Sequence, residues 1–185
     1  MITSCFRAQS MWLALATALC CLGAWACTPP ANSEAAPAIA DPAATASVVR
    51  VVDGDTLEVA LPAGRERVRL IGIDTPESVN PDSEVECYGV AASEHLADLL
   101  PKGTEVELVR DVELRDRYDR LLAYVFRRSD GLFVNLAMAS EGYANTLSIA
   151  PNLTFADDMT AAVAQARQAG LGLWQACPEP DALFG

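Results

Sequence analysis

Three charged side chains of types suited to phosphate chemistry lie close together between residues 69 and 77. Arg69 belongs to a run of β-branched and apolar residues that predicts a half-buried strand, and Asp74 and Glu77 follow around Pro76, which ends that run. Carboxylate oxygens hold hard cations, and a guanidinium can bind a phosphate through two hydrogen bonds. The stretch therefore suits metal-assisted phosphate chemistry, although a strand followed by a polar turn with a surface salt bridge would also explain it in isolation.

Two other charged segments sharpen this interpretation by their order in the chain. Residues 51–59 predict two short strands joined around a glycine turn, with Asp53 and Asp55 two positions apart. Further along, residues 116–125 begin as a charged loop that delivers Arg120 into an apolar strand. Three separate segments thus supply a set of carboxylates and a pair of arginines.

Taken together, the three motifs resemble those of the staphylococcal nuclease (thermonuclease) family. That family has a strand with Asp-Gly-Asp-Thr, a strand with Arg followed by Asp-Thr-Pro-Glu, and a loop with Asp-(Arg/Lys)-Tyr-Gly-Arg. The resemblance covers residues 47–177. The periodicity of the chain indicates only an α+β class, whereas the resemblance implies a small five-stranded β-barrel of the OB type with about three helices.

The resemblance also implies a cation site. One Ca²⁺ would be held by Asp55, Asp74 and the backbone carbonyl of Thr75, with Asp53 next to these ligands. Calcium accepts mixed sets of oxygen ligands and keeps some of its water.

Catalytic and substrate-binding roles follow from the same resemblance. Glu77 would act as the general base or position the attacking water, while Arg69 and Arg120 would clamp the phosphate from two sides. Tyr118 would stack on the nucleotide or hydrogen-bond to it. The implied activity is Ca²⁺-dependent hydrolysis of DNA and RNA at the 5′-O–P bond, which leaves 3′-phosphates, and we expect a monomer.

The chain departs from the family pattern at Asp119, where the family has a glycine before the loop arginine. Such a glycine suggests a backbone with positive φ, which aspartate tolerates better than most residues. The Asp119 carboxylate could pair with Arg120, face the incoming phosphate or point to solvent. Repulsion of the phosphate would make Asp119→Gly cleave faster, most visibly at low ionic strength. Residues 143–150 also lack the tyrosines of the family's nucleotide pocket, which predicts weaker base recognition.

The composition is acidic, with 25 Asp and Glu against 13 Lys and Arg and a formal net charge of −12. Nucleic-acid binders usually present a basic face, so this charge disfavours tight non-specific binding. Two other functions stay open: a catalytically weak nuclease-like domain that binds nucleic acid or protein at the cell surface, and a surface domain that calcium stabilises structurally. The full set of acids and arginines favours the nuclease, since neither alternative needs all of them.

The N-terminus predicts export. Residues 1–26 read as a signal peptide in which Arg7 precedes an apolar run that ends in an Ala-Trp-Ala cleavage signature. Cys27 follows directly and is a candidate lipidation site that would anchor the protein in a membrane. Residues 27–46 form an Ala- and Pro-rich linker. The protein is expected to be a periplasmic or cell-surface lipoprotein, or to be secreted with Cys27 free or removed.

Three cysteines remain once the leader is removed, namely Cys27, Cys87 and Cys177. An odd number in an exported protein calls for an explanation. Lipidation of Cys27 together with a disulfide between Cys87 and Cys177 would use all three. Residues 178–185 are assigned to a C-terminal tail.

Periodicity places the regular elements that would position these groups. Strands are predicted at residues 48–60, 65–73, 104–110 and 121–126, and helices at 88–100, 135–141 and 154–170. Asn135 is predicted to cap the second helix, and a capping box of Thr154 and Asp157 to begin the third. The acidic residues of 78–86 are assigned to a solvated loop rather than to a second metal site.

Overall fold

The computed structural model describes residues 44–78 and 85–184. Within those ranges the strands are β1 (Ala44–Asp53), β2 (Thr56–Leu61), β3 (Gly64–Leu70), β4 (Gly72–Asp74), β5 (Glu105–Val109), β6 (Leu121–Arg127) and β7 (Asn145–Leu147). The helices are α1 (Gly89–Leu99), α2 (Val134–Ser140), α3 (Ala156–Ala169) and the short α4 (Leu173–Ala176), followed by a 3₁₀ turn at Pro180–Phe184.

Five of the strands close into a barrel in the order β1-β2-β3-β6-β5. Neighbouring strands are antiparallel except β3 and β6, which run parallel with Val68 opposite Leu121. The remaining strands, β4 and β7, pair as a small separate sheet in which Asp74 lies opposite Asn145. The prediction of a small five-stranded barrel in an α+β fold is confirmed, and the structure adds the single-turn helix α4 to the three helices expected.

The core is a continuous apolar cluster inside the barrel and beneath the helices. Its fully buried members include Leu57, Val59, Val68, Leu96, Val106, Val125, Met138 and Met159. Side chains of β2, β3, β5 and β6 alternate inward, and Leu96 of α1 and Met159 of α3 belong to the same cluster. None of the predicted site residues belongs to this cluster, so the barrel is a scaffold on which the site is carried.

Two strand boundaries differ from the predictions. β1 begins at Ala44, three residues before the predicted domain start at 47, because Ala46 is buried and residues 44–47 pair with β5. The predicted strand 65–73 is interrupted at Ile71, and the positive φ of 84° at Gly72, the next residue, turns the chain between β3 and β4. The turn lets β4 leave β3 and pair with β7, which carries Asp74 to the barrel rim.

Two predicted helix caps are wrong, because tertiary contacts take the side chains. Asn135 lies inside α2 and is fully buried, where its amide donates to the Ile71 carbonyl and accepts from the Val125 N–H, both at 2.9 Å. Thr154 and Asp157 form no capping box, since α3 begins at Ala156 without a side-chain cap.

Cys87 and Cys177 are joined by a disulfide in the structure, with Cα atoms 5.9 Å apart. Other predictions concern residues outside the described ranges: the signal peptide at 1–26, Cys27, residues 27–43 of the linker and most of the 78–86 loop. In the described part of the chain, no helix is long and apolar enough to cross a membrane.

Candidate active site

The turn between β1 and β2 places Asp55 beneath the rim of the barrel. The Asp55 side chain is 9% exposed, and its Oδ1 accepts a hydrogen bond from the Thr56 hydroxyl at 2.9 Å. The Thr75 N–H donates to Oδ2 at 3.3 Å, and the Leu70 N–H donates to the Asp55 carbonyl at 2.9 Å. Gly54 makes this turn feasible, since a Cβ at that position would lie 2.6 Å from Thr75 Oγ1.

Arg69 lies between the two predicted metal-binding carboxylates. Its Nη2 is 2.9 Å from Asp55 Oδ2 and 2.8 Å from Asp74 Oδ1, and its side chain is only 12% exposed. Its Nη1 donates to the main-chain carbonyls of Leu70 and Ile73 at 2.9 and 2.8 Å. The guanidinium therefore neutralises the acids of the site, in addition to lining the pocket described below.

Burial raises the pKa of both carboxyl groups, despite the nearby guanidinium. For Asp55 burial outweighs the lowering effect of Arg69 and of the Thr56 hydroxyl. For Asp74 burial again raises the pKa against Arg69, and the charges of Asp55 and Glu86 raise it further. A single arginine thus leaves the pair short of positive charge, and an added cation would favour the ionised form of both groups.

Asp53 lies next to this pair and binds other partners. Its Oδ1 accepts hydrogen bonds from the Gly54 N–H at 2.8 Å and from the hydroxyls of Ser78 and Ser93 at 2.6 and 3.1 Å. Asp53 therefore lies in the same turn as Asp55. It connects the chain after Glu77 to helix α1.

Thr75 and Glu77 follow β4. Thr75 is buried, and its hydroxyl has no hydrogen-bond partner among residues 44–78 and 85–184. Glu77 is half-buried, and its N–H donates to Glu86 Oε2 at 2.8 Å. The sequence assigned Glu86 to a solvated loop and gave no local signal for this contact.

Arg120 is held by two residues that the sequence analysis did not single out. Its Nε donates to Asp116 Oδ2 at 2.6 Å, and its Nη1 donates to Thr56 Oγ1 at 3.3 Å. Asp116 Oδ1 also accepts the N–H groups of Tyr118 and Arg120, both at 2.9 Å. Burial alone would raise the pKa of Asp116, but these hydrogen bonds hold it below the ordinary value. The four-residue spacing of Asp116 and Arg120 was the available signal for this pair.

Arg69 and Arg120 both line one pocket of about 440 Å³ at the rim of the barrel. Tyr118 lies on its wall with its side chain largely exposed, and Leu147 and Ile149 contribute apolar surface. The Arg120 guanidinium carbon is 5.5 Å from the centre of the Tyr118 ring. The pocket thus combines three guanidinium groups, those of Arg69, Arg117 and Arg120, with a ring and an aliphatic wall, which suits a phosphate that carries a planar group.

Comparison with known proteins agrees with this geometry. Residues 67–176 match the family model described as staphylococcal nuclease homologue. The chain belongs to the staphylococcal nuclease family. Similar members of that family include the thermonuclease of Staphylococcus intermedius, with 40% identity over 128 residues, 69% of this chain and 74% of the relative.

Two further relatives of this family member carry nuclease names. The thermonuclease of Staphylococcus hyicus is 35% identical over 130 residues, which cover 70% of this chain and 75% of the relative. Endonuclease YncB of Bacillus subtilis (strain 168) is 35% identical over 127 residues, which cover 68% of this chain and 59% of the relative.

Asp119 adopts the backbone that the family glycine suggests. Its φ is 63°, in the left-handed region. Its side chain is 87% exposed, with Oδ1 3.5 Å from Arg115 Nη1, and Arg115 also donates to the Asp119 carbonyl at 2.7 Å. Of the alternatives left open by the sequence, the structure therefore favours a carboxylate that points to solvent, beside Arg115 rather than Arg120.

Replacing Asp119 with glycine should accordingly change cleavage little, contrary to the increase expected from the sequence. We expect kcat/KM on DNA to change by less than about fivefold at low salt, because an exposed charge is worth roughly 1 kcal/mol or less. The measurement compares both proteins at low and high ionic strength. A rise of tenfold or more that disappears at high salt would show that Asp119 repels the substrate after all.

The donor set of this staphylococcal nuclease family member fits a hard cation. In the described part of the chain no cluster of three or more His, Cys, Asp or Glu groups could hold a metal, so the side chains offer two carboxylates, Asp55 and Asp74. Burial raises the pKa of both groups, and within residues 44–78 and 85–184 the buried Thr75 hydroxyl beside them has no hydrogen-bond partner. An all-oxygen set with few protein ligands suits a hard divalent cation whose coordination is completed by water.

Proposed function

We propose that this protein is an exported nuclease that hydrolyses phosphodiester bonds of DNA and RNA in a Ca²⁺-dependent reaction. The observation that carries the proposal is the position of Arg69, which contacts Asp55 and Asp74 and also lines the pocket shared with Arg120. The candidate cation site and the candidate phosphate site therefore adjoin each other. Membership of a family with named nucleases supports the same activity.

The proposed cation ligands are Asp55, Asp74 and the backbone carbonyl of Thr75. A bound Ca²⁺ would neutralise phosphate charge and so make the phosphorus accessible to a nucleophile. Asp53 would keep the surrounding chain in place through Ser78 and Ser93. The raised pKa of Asp55 and Asp74 means that protons compete with the cation for these oxygens.

Glu77 is the proposed general base. It takes a proton from a water molecule, whose oxygen forms a bond to phosphorus while the bond between phosphorus and the 5′ oxygen breaks. The leaving 5′ oxygen takes up a proton from solvent, so the products are a 3′-phosphate and a 5′-hydroxyl. A carboxylate in this role needs to lie within hydrogen-bond reach of the water, which makes the direction of the Glu77 side chain decisive.

Arg69 and Arg120 would stabilise the charge that builds up on the phosphate oxygens. Arg120 is oriented for this by Asp116 and Thr56, so little ordering remains when substrate binds. Tyr118 would contact the nucleotide from the pocket wall. The aliphatic surface of Leu147 and Ile149 can pack against a base but cannot donate or accept hydrogen bonds, which supports weak base preference.

A catalytically weak binding domain is the main alternative. The formal net charge of −12 favours it, because an acidic body slows the approach of nucleic acid. The fixed orientation of Arg120 argues for catalysis instead, since a domain that only binds has no need to hold an arginine by both Asp116 and Thr56. Export and lipidation at Cys27 remain proposals that rest on the N-terminal sequence.

Calcium should be required for cleavage but not for folding. The barrel core is apolar and separate from the carboxylate pair, so EDTA should stop DNA hydrolysis while the far-UV circular dichroism spectrum stays unchanged. One assay separates the candidate functions: the purified protein is incubated with DNA in Ca²⁺ or EDTA, and cleavage and binding are both recorded. Binding without cleavage would support the weak binding domain, and unfolding in EDTA would support calcium as a structural ion.

A further inference from the structure

Glu86 and Glu77 are nine positions apart, and Glu86 binds both main-chain polar groups of Glu77. The Glu77 N–H donates to Glu86 Oε2 at 2.8 Å. The Glu86 N–H donates to the Glu77 carbonyl at 3.0 Å. A single residue thus forms a reciprocal pair of hydrogen bonds around the candidate general base.

We propose that Glu86 is a positioning residue of the hydrolytic reaction, which fixes the main chain of Glu77 and thereby the direction of its carboxylate. The inference rests on the proposed function, in which Glu77 activates water. It assigns to Glu86 a role through its carboxylate oxygen as a hydrogen-bond acceptor, not through contact with substrate. We call the two hydrogen bonds between Glu77 and Glu86 the glutamate clamp.

Glu86 is itself anchored by the residues that follow it. Its carbonyl accepts a hydrogen bond from the Gly89 N–H at 3.0 Å, at the start of α1. Cys87 is bonded to Cys177 after α4, and Tyr88 takes a left-handed conformation with φ 72°. The disulfide at Cys87 and the start of α1 at Gly89 both lie within three residues of Glu86. They restrain the main chain of Glu86, and with it the position from which its side chain reaches Glu77.

Gly89 allows the clamp to form at all. A Cβ at this position would lie 2.5 Å from the Glu77 carbonyl oxygen, a distance that real structures do not show. The first turn of α1 therefore lies directly against the Glu77 main chain. The same carbonyl oxygen is the acceptor of the Glu86 N–H, so the close approach and the hydrogen bond act on one atom.

The chain on either side of Glu77 is restricted as well. Pro76 precedes it and fixes its own φ, and the Ser78 hydroxyl donates to Asp53 Oδ1 at 2.6 Å. With these neighbours and the clamp in place, the Glu77 carboxylate can move only by rotation about its side-chain bonds. A displacement of about 1 Å at a reacting group can lower a rate by roughly a hundredfold, so such restraint has a direct catalytic value.

Two substitutions at Glu86 distinguish the effect of its acceptor oxygen at the right distance from the effect of its negative charge. Glu86→Gln keeps the length of the side chain and an acceptor oxygen but removes the charge. Glu86→Asp keeps the charge but is one methylene too short to reach the Glu77 N–H. We expect kcat on single-stranded DNA to stay within about threefold of wild type for Glu86→Gln and to fall by roughly tenfold to a hundredfold for Glu86→Asp, with KM nearly unchanged. Glu94→Gln, an exposed position on α1, serves as the control.

A double substitution tests whether Glu86 acts through Glu77. In a Glu77→Gln background, Glu86→Asp should cause no further loss of kcat, because the group that it positions is already gone. If the fold-losses in kcat of the two single variants multiply in the double variant, Glu86 acts elsewhere, such as on the charge of Asp74. That result would overturn the proposal. So would a wild-type kcat for Glu86→Asp, or equal losses for Glu86→Asp and Glu86→Gln.

Hydrogen exchange tests the clamp independently of catalysis. The Glu77 amide should exchange slowly in wild type and in Glu86→Gln, and at least about tenfold faster in Glu86→Asp, because only the last lacks the acceptor. Equal exchange in all three proteins would overturn the clamp even if the protein proves inactive on DNA. Slow exchange in wild type together with full activity of Glu77→Gln would instead refute the proposed function and leave the contact itself in place.

Discussion

Replacing Arg69 with alanine should lower both the rate of DNA cleavage and the stability of the fold. The rate should fall by about 100- to 1000-fold, the usual cost of removing one preorganised group that stabilises transition-state charge. The free energy of unfolding should fall by roughly 3 kcal/mol, because the substitution leaves the carboxylates of Asp55 and Asp74 without the guanidinium that they share. A loss of stability is expected because the Arg69 side chain is only 12% exposed and makes four polar contacts.

Calcium should restore part of the stability that Arg69→Ala loses. The ion would supply the positive charge that the guanidinium supplies in wild type, so Ca²⁺ should raise the melting temperature more in the variant than in wild type. Thermal unfolding in Ca²⁺ and in EDTA measures this directly. Arg67→Ala, an exposed position on the same strand, is the matched control and should change neither stability nor rate. Equal Ca²⁺ shifts in wild type and Arg69→Ala would argue against a shared site.

Loss of the disulfide should cost about 4–5 kcal/mol in the chain-entropy model, because its cysteines are 90 residues apart. The bond connects the chain before α1 to the chain after α4, and so encloses most of the second half of the domain. The measurement is urea unfolding of Cys87→Ser with Cys177→Ser, compared with wild type. Cys27→Ser is the control, since it removes a cysteine that the bond does not use.

The pairing itself can be checked by thiol labelling. The unreduced protein should show no free thiol at Cys87 or Cys177 when unfolded in the presence of a labelling reagent. Labelling at both positions would mean that the bond does not form in the exported protein. In that case the variant with both serines should lose only the small stability that replacing two unbonded cysteines costs.

The fold could be predicted because three motifs specify it together. Asp-Gly-Asp-Thr marks a hairpin and Arg…Asp-Thr-Pro-Glu marks the end of a strand. The order of the motifs resembles that of the staphylococcal nuclease family, and this resemblance implies the barrel, which periodicity alone would not give. Local patterns failed where a distant contact decides the conformation. Asn135 has good capping chemistry, yet it is used inside the fold to bind Ile71, 64 residues away. Gly72 lies in an apolar run, and only its positive φ shows that the strand turns there.

The sequence suggested which residues belong to the candidate site, but not which side chains contact one another. The structure brings Asp55, Asp74 and Arg69 together, but the sequence could not show that Arg69 lies between the two acids. The partners Thr56 and Asp116 stood within quoted motifs, but hydrogen-bond geometry was needed to assign them to Arg120. The contact of Glu86 with Glu77 was not predicted, because the two residues are the ends of a polar segment that has no periodicity of its own.

The most direct test of the central claim is cleavage of a short 5′-labelled single-stranded DNA by the full-length protein and by Glu77→Gln, each in Ca²⁺ and in EDTA. We expect shorter fragments that end in 3′-phosphate for the wild-type protein in Ca²⁺, none in EDTA, and a rate at least about 100-fold lower for Glu77→Gln. Equal rates for the two proteins, or full cleavage in EDTA, would contradict the assignment of a cation-dependent phosphodiesterase site to these residues.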